Sequence, residues 1–391
     1  MSLPRRARTT VVLSAFSAFT LCAATACGDG TQPAASGEAI ESAPSELRLD
    51  GVCPDTVVLQ TDWEPEAEHG PLYNLLGPGY RVDSDQKRVA GPLVIDGQDT
   101  GVEVEVRAGG AAIGYQSVAS QMYVDESITL GTVTTDGAIT AAADQPVTAV
   151  MALMRKSPIM LMWDPETHPD WETVADIGET DAKVVYVAGN SYASMLVADG
   201  LIQESQLDAS YDGSPSRFVS DPGIAQQGFA TAEPYIYEHE VGAWNKPVEY
   251  QLLADVGYTV YPQALSARTG ALEELSPCLE RLVPVLQRSA ADFAADPGPT
   301  VDLISELVTE YNTGWVYSQE TGAFAAEEMV NLGILANEAD GSIGGFDMER
   351  VERIRQDFTP LITESGATVP DDLTADDLAT NQFIDPTIGM E

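Results

Sequence analysis

One short segment concentrates acidic and aromatic side chains directly after a β-rich run. The run at residues 56–60 reads TVVLQ, and the segment at residues 61–70 reads TDWEPEAEHG. Carboxylates accept hydrogen bonds from amino groups or bind cations, and aromatic faces offer stacking or cation–π contacts. The first candidates for ligand contact are therefore Asp62, Trp63, Glu66 and His69.

Further segments follow predicted strands in the same way. In open α/β sheets, ligands bind at the carboxyl ends of the strands, next to the N-termini of helices. The strand at residues 102–106 leads into two glycines, which let the backbone approach a ligand. The other strand ends lead into polar and aromatic residues, and core packing of the aromatic ones is the structural alternative. Together these segments add the candidates Gly109, Gly110, Tyr115, Asp136, Asn190, Ser191, Tyr192, Glu233 and Tyr235.

These candidates lie in a chain whose strand-like and helical runs alternate up to about residue 269. The alternation predicts an α/β fold with parallel sheets flanked by helices. We expect a helix over residues 111–122, and another that begins at a cap formed by Asn190-Ser191 and runs to Gly200.

Two other patterns are regular. Asp96-Gly97 predicts the turn of a hairpin within residues 89–106. Towards the C-terminus only helical spacing is found, over residues 272–294, 300–312, 323–335 and 348–364. The sequence therefore predicts a helical C-terminal region.

The charge of the chain excludes two classes of partner. Its 391 residues include 61 Asp plus Glu against 19 Lys plus Arg, a formal net charge of −42. This charge repels phosphate backbones and anionic headgroups, so nucleic acids and lipid surfaces are excluded as partners. Hydrophobic residues make up 44% of the chain, enough for a large core, and the length favours two domains.

The N-terminus has the features of an export signal. Three arginines and an apolar run at residues 11–21, too short to span a bilayer, precede small residues and Cys27. This resembles the lipoprotein box of bacteria, so we expect residues 1–26 to be a signal peptide and Cys27 to be lipidated. Secretion without a lipid is the alternative. Residues 27–52 predict a flexible tether, since Gly, Ser, Ala, Pro and acidic residues dominate them.

The remaining cysteines, Cys53 and Cys278, form a lone pair. In an exported protein such a pair most simply makes one disulfide, with two free buried thiols as the alternative. A bridge would close a loop of about 225 residues and contribute roughly 5 kcal/mol in the chain-entropy model.

Four segments together resemble a known family. They are VVLQTDWEPEAEHGPLY at residues 57–73, the 131–162 stretch with its SPIMLMW strand, GFATAEPYIYE at 228–238, and GYTVYPQALSAR at 257–268. Their order and sequence resemble ABC-transporter substrate-binding proteins, in the branch that carries thiamine pyrimidine precursors, riboflavin, alkanesulfonate, nitrate or taurine. In pyrimidine-binding relatives an Asp-Trp pair helps to hold a flat ring. Asp62 and Trp63 match that pair, and His69 matches a His of the same loop, whereas Pro71 departs from the pattern.

The resemblance implies a two-lobed, type II periplasmic-binding fold whose helical C-terminal region packs on lobe one. Lobe one would comprise residues 53–155 and 262–391, and lobe two residues 156–261. A small-molecule ligand would bind between them and pass to a membrane permease with a separate ATPase chain, since no G-x-x-x-x-G-K-[ST] motif occurs. We expect an extracytoplasmic monomer without a cofactor, held at the membrane only by its lipid.

The ligand and the activity have alternatives. Aromatic and acidic side chains favour a heteroaromatic amine such as an aminopyrimidine, or another cationic amine, whereas a sulfonate- or nitrate-like anion would use Arg107 and Ser191. An enzyme on the same fold could pair Glu66 with Glu68 in a glycosidase, bind a metal through His69 and His239, or synthesise pyrimidine. A ligand-sensing lipoprotein is the third alternative.

Overall fold

The computed structural model of the protein describes residues 40–211 and 213–391. The predicted signal peptide, the lipidation site Cys27 and the first part of the predicted tether lie outside these residues. In the described part of the chain, every helix is too short or too polar to cross a membrane.

Twelve strands within the described residues form two sheets. They are β1 (Thr56–Gln60), β2 (Arg81–Asp83), β3 (Arg88–Ile95), β4 (Gln98–Arg107), β5 (Leu130–Val133), β6 (Val147–Ala152), β7 (Ile159–Trp163), β8 (Val184–Val185), β9 (Leu207–Asp208), β10 (Ala225–Phe229), β11 (Glu249–Leu252) and β12 (Ala264–Arg268). The first sheet has the order β2-β3-β4-β1-β5-β12-β6, and the second sheet has the order β11-β7-β10-β8-β9.

Both sheets are mixed, so the prediction of parallel sheets is wrong in part. β1 lies parallel to β4 and β5, but β12 returns to the first sheet antiparallel to β5 and β6. In the second sheet, β10 is parallel to β8 and antiparallel to β7. Because β1, β4 and β5 are parallel, the segments that follow them meet at one edge of the first sheet.

The helices of the described residues flank these sheets. They are α1 (Gly70–Tyr73), α2 (Val118–Val124), α3 (Thr135–Ala141), α4 (Val174–Gly178), α5 (Ser191–Ala198), α6 (Ser216–Ser220), α7 (Glu233–Tyr235), α8 (Leu272–Ala295), α9 (Gly298–Tyr311), α10 (Gln319–Asn331), α11 (Met348–Glu364) and α12 (Ala375–Leu378). The predicted helical C-terminal region is confirmed by α8 to α11.

The helix predicted over residues 111–122 is instead divided in two. A 3-10 turn at Gly110–Ile113 precedes α2, and the residues between them include Gly114 and Tyr115 with positive φ angles of 62° and 58°. Left-handed backbone cannot continue a right-handed helix, so the helix has to begin again after Tyr115.

The predicted hairpin is formed by β3 and β4. Asp96 and Gly97 join the strands with φ angles of 52° and 71°, the pair of left-handed residues that a two-residue turn of type I′ requires. Side chains of β3 alternate between buried and partly exposed positions, as expected when one face of a hairpin packs on a core.

The core of the first sheet is closed by α8. Leu279, Leu282 and Leu286 on this helix are fully buried. Cys278 lies beside them and forms the predicted disulfide with Cys53, at an S–S distance of 2.04 Å. The bridge therefore joins the start of β1 to the first long helix of the C-terminal region.

Residues 42–52 differ from the predicted tether because they are folded onto the hairpin. The backbone N–H of Ala43 donates to the carbonyl of Asp99 at 2.8 Å, and that of Leu49 donates to Thr100 at 2.9 Å. Leu49 is fully buried in the core of the first sheet. A few apolar residues are enough to order this segment, although their spacing is too irregular to predict a strand or a helix.

Candidate ligand-binding site

The loop after β1 is held in place by the segment after β4. The N–H of Gly109 donates to the carbonyl of Trp63 at 2.8 Å, and the N–H of Gly110 donates to that of Asp62 at 3.0 Å. A Cβ atom on Gly109 would lie 2.3 Å from the carbonyl oxygen of Thr61, so the close approach requires glycine. These glycines therefore position the loop, because their N–H groups donate to its backbone.

Asp62 and His69 contact each other within this loop. Nε2 of His69 donates to Oδ1 of Asp62 at 2.8 Å, and the hydroxyl of Thr132 donates to the same oxygen at 2.8 Å. His69 is fully buried, while the side chain of Asp62 is 38% exposed. Nδ1 of His69 lies 3.9 Å from Oε1 of Glu66, too far for a hydrogen bond. The structure thus brings together Asp62, Glu66 and His69, as the sequence predicts.

Three glutamates of the loop are buried with incomplete hydrogen bonding. Glu64, Glu66 and Glu68 are 3%, 4% and 1% exposed. Within the described residues, Oε2 of Glu64, Oε1 of Glu66 and Oε2 of Glu68 have no hydrogen-bond partner, and neither does Nδ1 of His69. An unpaired buried carboxylate is costly, so these oxygens mark a place where a ligand can donate hydrogen bonds.

Burial also shifts the acidity of these groups. It raises the pKa of Glu66 well above its usual value, and the neighbouring carboxylates of Glu68, Asp62, Glu233 and Glu64 raise it further. The pKa of Glu68 is raised by burial, although a hydrogen bond from Thr231 opposes the rise. The pKa of Glu64 is raised by burial too. The loop therefore holds a proton more readily than exposed glutamates do.

Residues after β10 bring the second sheet to the same place. The hydroxyl of Thr231 donates to Oε1 of Glu68. The backbone N–H of Phe229 donates to Oε2 of Glu233 at 2.7 Å, and burial raises the pKa of Glu233 to about 7. The charge of Glu68 raises it further. We call the carboxylates that share this region the acidic group: Asp62, Glu64, Glu66, Glu68 and Glu233.

Two further aromatic rings lie close to Trp63 of the loop. The ring centroid of Trp63 lies 5.8 Å from that of Tyr115 and 6.0 Å from that of Trp315. Tyr115 is 70% exposed, whereas Tyr317 is buried and its hydroxyl accepts a hydrogen bond from the N–H of Ala67 at 3.1 Å. We call Trp63, Tyr115 and Trp315 the aromatic wall. Its rings offer a stacking surface next to the acidic group.

A second contact between the sheets involves Asp136 and Ser191. Asp136 lies in the first turn of α3, and its Oδ2 accepts hydrogen bonds from the hydroxyl of Ser191 and, at 3.0 Å, from that of Tyr258. The structure thus brings together two predicted residues from different strand ends. Each already has a protein partner.

Other predicted residues take structural positions. Tyr192 is fully buried, and its hydroxyl donates to Oε1 of Gln227 at 2.6 Å. It is therefore a core residue, which was the alternative to ligand contact for the aromatic candidates. Asn190 precedes α5, but its side chain donates to Gln227 at 3.3 Å and does not cap the helix. The ring of Tyr235 lies 4.6 Å from that of His239.

The two side chains considered for binding an anion already bind other side chains of the protein. Nε of Arg107 donates to Glu105 and Nη1 donates to Asp125, both at 2.7 Å, so its charge is already compensated. The hydroxyl of Ser191 donates to Asp136. Across residues 40–211 and 213–391, no group of three or more His, Cys, Asp or Glu side chains is arranged to hold a metal ion.

The candidates for ligand contact leave out Glu64 and Glu68, although both lie in the loop after β1, and they also leave out two residues from distant parts of the chain. Thr231 lies within the GFATAEPYIYE segment, yet a threonine between two alanines carries no signal of its own. Trp315 lies in the loop between α9 and α10, and only its aromatic character could have drawn attention to it. Both contacts join residues far apart in sequence.

Comparisons with known proteins identify the fold. No protein-family model and no curated protein sequence matches the chain. The periplasmic aliphatic sulphonate binding protein SsuA of Escherichia coli is 14% identical, with a TM-score of 0.52 over 80% of this chain and 88% of that one. A zinc-bound ligand-binding component of an ABC-type import system from Staphylococcus aureus is 11% identical, with a TM-score of 0.51 over 84% and 97%. A putative periplasmic sulfonate-binding protein of Methylobacillus flagellatus is 13% identical, with a TM-score of 0.50 over 84% and 92%.

Two of these structures are named as components of ABC transport systems, and the Escherichia coli protein is named as a periplasmic binding protein. The chain therefore has the periplasmic-binding fold that the sequence resemblance implies, with two mixed sheets and a helical C-terminal region. At such low identity the likeness establishes the fold, while the ligand has to be argued from the side chains of this chain.

Proposed function

We propose that the protein is the extracytoplasmic substrate-binding component of an ABC importer. It binds a small organic ligand and delivers it to a membrane permease that works with a separate ATPase chain. A heteroaromatic amine such as an aminopyrimidine is the best candidate. Residues 53–155 with 262–391 form one lobe, residues 156–261 form the other, and the ligand binds between them.

One observation carries this proposal. Three buried glutamates with unpaired oxygens lie next to the half-buried indole of Trp63, on the loop that follows the first strand. Amino groups of a ligand would complete the hydrogen bonding of Glu64, Glu66 and Glu68, while its ring stacks on the indole. Structural roles account poorly for three such oxygens in one loop, because burying them without partners lowers stability.

Binding would be coupled to closure of the lobes. Thr231 and Glu233 follow a strand of the second sheet, whereas Glu68 follows β1, and the bond from Thr231 to Glu68 joins them. A ligand that contacts both sides favours the closed arrangement over the open one by its differential affinity.

The proposal includes attachment to the membrane. A lipid on Cys27 would hold the folded protein at the outer face of the cell membrane, with the residues up to about 41 as the tether. Such an anchor is needed because a chain with a formal charge of −42 is repelled by anionic lipids. The protein acts as a monomer.

The acidic group favours an amine over an anion. Two of the similar structures are named as sulfonate-binding proteins, so a sulfonate is the natural competitor. An anion at this place would meet five carboxylates, and the two donors predicted for it, Arg107 and Ser191, bind other side chains. The ionised carboxylates of the group would repel an anion, whereas an amine would favour their ionised form.

Ligand screening tests the proposal. Native mass spectrometry of the purified protein would identify a retained ligand, and thermal-shift assays would compare aminopyrimidines, flavins, other amines, sulfonates and nitrate. A ligand at 100 times its Kd adds about 2.7 kcal/mol of stability. If no class of compound shifts the Tm, the proposal fails, and turnover of a compound would favour the enzyme alternative.

Trp63→Ala ties the binding to this site. The substitution should remove about 1–3 kcal/mol of binding free energy for an aromatic ligand, measured by calorimetric titration, and leave the circular dichroism spectrum unchanged. Trp244→Ala is the matched control, since that half-buried indole packs against Phe218 in a separate apolar cluster. Equal losses in both variants would contradict the assignment of Trp63.

A further inference from the structure

We infer that the ligand of the acidic group is a planar organic cation with N–H donors, such as an amidinium, guanidinium or aminopyridinium group. The inference rests on the proposed function and adds the charge and the shape of the ligand. It separates this class from neutral heterocycles, from quaternary ammonium ions and from anions.

The need for N–H donors follows from the unpaired atoms. Oε1 of Glu68 already accepts from Thr231, which leaves Oε2 free, and Oε1 of Glu66 and Oε2 of Glu64 are free as well. All three side chains are more than nine-tenths buried. When its carboxyl group is ionised, each free atom is a hydrogen-bond acceptor, so a quaternary ammonium ion, which has no N–H, would leave all of them unpaired.

The need for a positive charge follows from the charge balance. In the described part of the chain, ion pairs of this loop are made only with His69, which lies between Asp62 and Glu66. Lys87 acts on Glu64 from a distance, but its ammonium group donates to the carbonyl of Tyr311. A cation would favour the ionised form of these carboxylates and lower their raised pKa values, whereas a neutral ligand would leave that form unfavourable.

The planar shape follows from the aromatic wall. Gly110 lies against the indole of Trp63 and against Glu64, since a Cβ atom there would come within 3.4 Å of Trp63 Cε3 and 3.6 Å of Glu64 Cγ. The ring and the carboxylate are therefore neighbours on one surface. A flat cation can stack on an aromatic face while its in-plane N–H groups reach carboxylates, as a guanidinium does.

Four probes that share a phenyl ring separate the classes. They are benzamidine (a planar cation with N–H donors), benzamide (neutral), phenyltrimethylammonium (a cation without N–H) and benzenesulfonate (an anion). With the full mature chain, thermal shift and calorimetric titration should show benzamidine binding at least tenfold more tightly than each of the other three. The shared ring keeps the stacking contribution equal among them.

Glu66→Gln tests the residue that carries the inference. Gln has nearly the same shape but donates as well as accepts, so the preference for benzamidine over benzamide should fall at least tenfold. Glu238→Gln is the control, because Glu238 is exposed on a neighbouring turn and should leave the preference unchanged. Glu64→Gln gives a second test if the first variant unfolds.

The outcomes distinguish the inference from the proposed function. If benzamide, phenyltrimethylammonium or benzenesulfonate binds as tightly as benzamidine, or if neither Gln variant changes the preference, the inference is wrong. If benzenesulfonate binds tightly and Trp63→Ala abolishes this binding, the inference of a cationic ligand is wrong, but the proposed importer function stands. Failure of all four probes overturns the inference, and the wider ligand screen then decides on the function separately.

Discussion

Individual carboxylates of the acidic group lower the stability of the ligand-free protein. Glu66 has one unpaired oxygen and lies among four other carboxylates. Burial is the main reason why its pKa lies well above the usual value, and the neighbouring carboxylates raise it further. A core position with such costs is expected when the residue contributes to binding, because function is often maintained at the expense of stability. Ligand binding would then stabilise the protein by more than the direct contacts alone suggest.

Thermal stability should fall as the pH rises from about 5 to about 8. Burial raises the pKa of Glu233 from 4.5 to about 7, and those of Glu66 and Glu68 are also raised. Between the unfolded and folded pKa values the folded state holds more protons, so stability is lost as the pH rises through the folded value. At about 1.4 kcal/mol per pKa unit, Glu233 alone contributes on the order of 3 kcal/mol. Calorimetric unfolding across this window measures the fall.

Two variants check that Glu233 is the cause. Glu233→Gln should reduce the pH dependence by the contribution of Glu233, and Glu238→Gln, at an exposed position, should preserve it. Asp125 and Glu352 do not interfere, because hydrogen bonds from Ser127 and Arg355 lower their pKa values to about 2, below the window. A Tm that stays constant or increases over this range in the unaltered protein would contradict the assignment.

The sequence identifies residues on both sides of the site, but it misses the partners that hold the loop after β1. Asp62, Glu66 and His69 are close in sequence, so their spacing alone brings them together in one loop. The partners of that loop, Thr231 and Trp315, come from distant parts of the chain. Their contacts depend on how two sheets and a helical region pack, which a local pattern does not contain.

For the secondary-structure elements, the periodicity of the sequence predicts that a strand or helix exists better than it predicts the direction of a strand in its sheet. The hairpin and the long C-terminal helices form where turn residues and helical spacing indicate them. The antiparallel return of β12 was not predicted, because an apolar strand has the same pattern in either direction. The prediction of one helix over residues 111–122 is wrong because Gly114 and Tyr115 have left-handed backbone, which the helical spacing of the side chains does not reveal.

Gly109→Ala should disturb the binding loop through the backbone. The new methyl group would lie 2.3 Å from the carbonyl oxygen of Thr61 and 2.6 Å from that of Asp62, so the two segments must separate. We expect a loss of about 1–3 kcal/mol in unfolding free energy and weaker ligand binding. Gly270→Ala is the matched control, since a Cβ atom there meets no atom within 4 Å. Denaturant unfolding of the two variants measures the difference, and equal stability would show that the approach of the segments is dispensable.

Over the whole molecule, the negative charge is divided between two roles. Most of the 61 acidic residues give a solvated surface, which limits the partners of the protein but does not select a ligand. The five carboxylates of the acidic group are different because they are drawn from both sheets and concentrate charge in one place. If the proposed ligand is right, acidic residues repel anionic surfaces on the outside of the protein and attract a cation within the site.

Closure of the proposed lobes should depend on a second contact that lies apart from the ligand. Glu240, on the turn after α7, accepts hydrogen bonds from the hydroxyls of Ser318 and, at 2.9 Å, Thr321, at the start of α10. Glu240→Ala should weaken ligand binding about tenfold by removing hydrogen bonds made in the closed arrangement, since bonds to charged groups are worth about 1.5–3 kcal/mol. Small-angle scattering should show that ligand-bound Glu240→Ala protein has a larger radius of gyration than the ligand-bound unaltered protein. Glu238 is an exposed residue on the same turn, and Glu238→Ala should change neither the affinity nor the radius of gyration. If the Glu240→Ala protein binds ligand and closes normally, this contact does not contribute to closure.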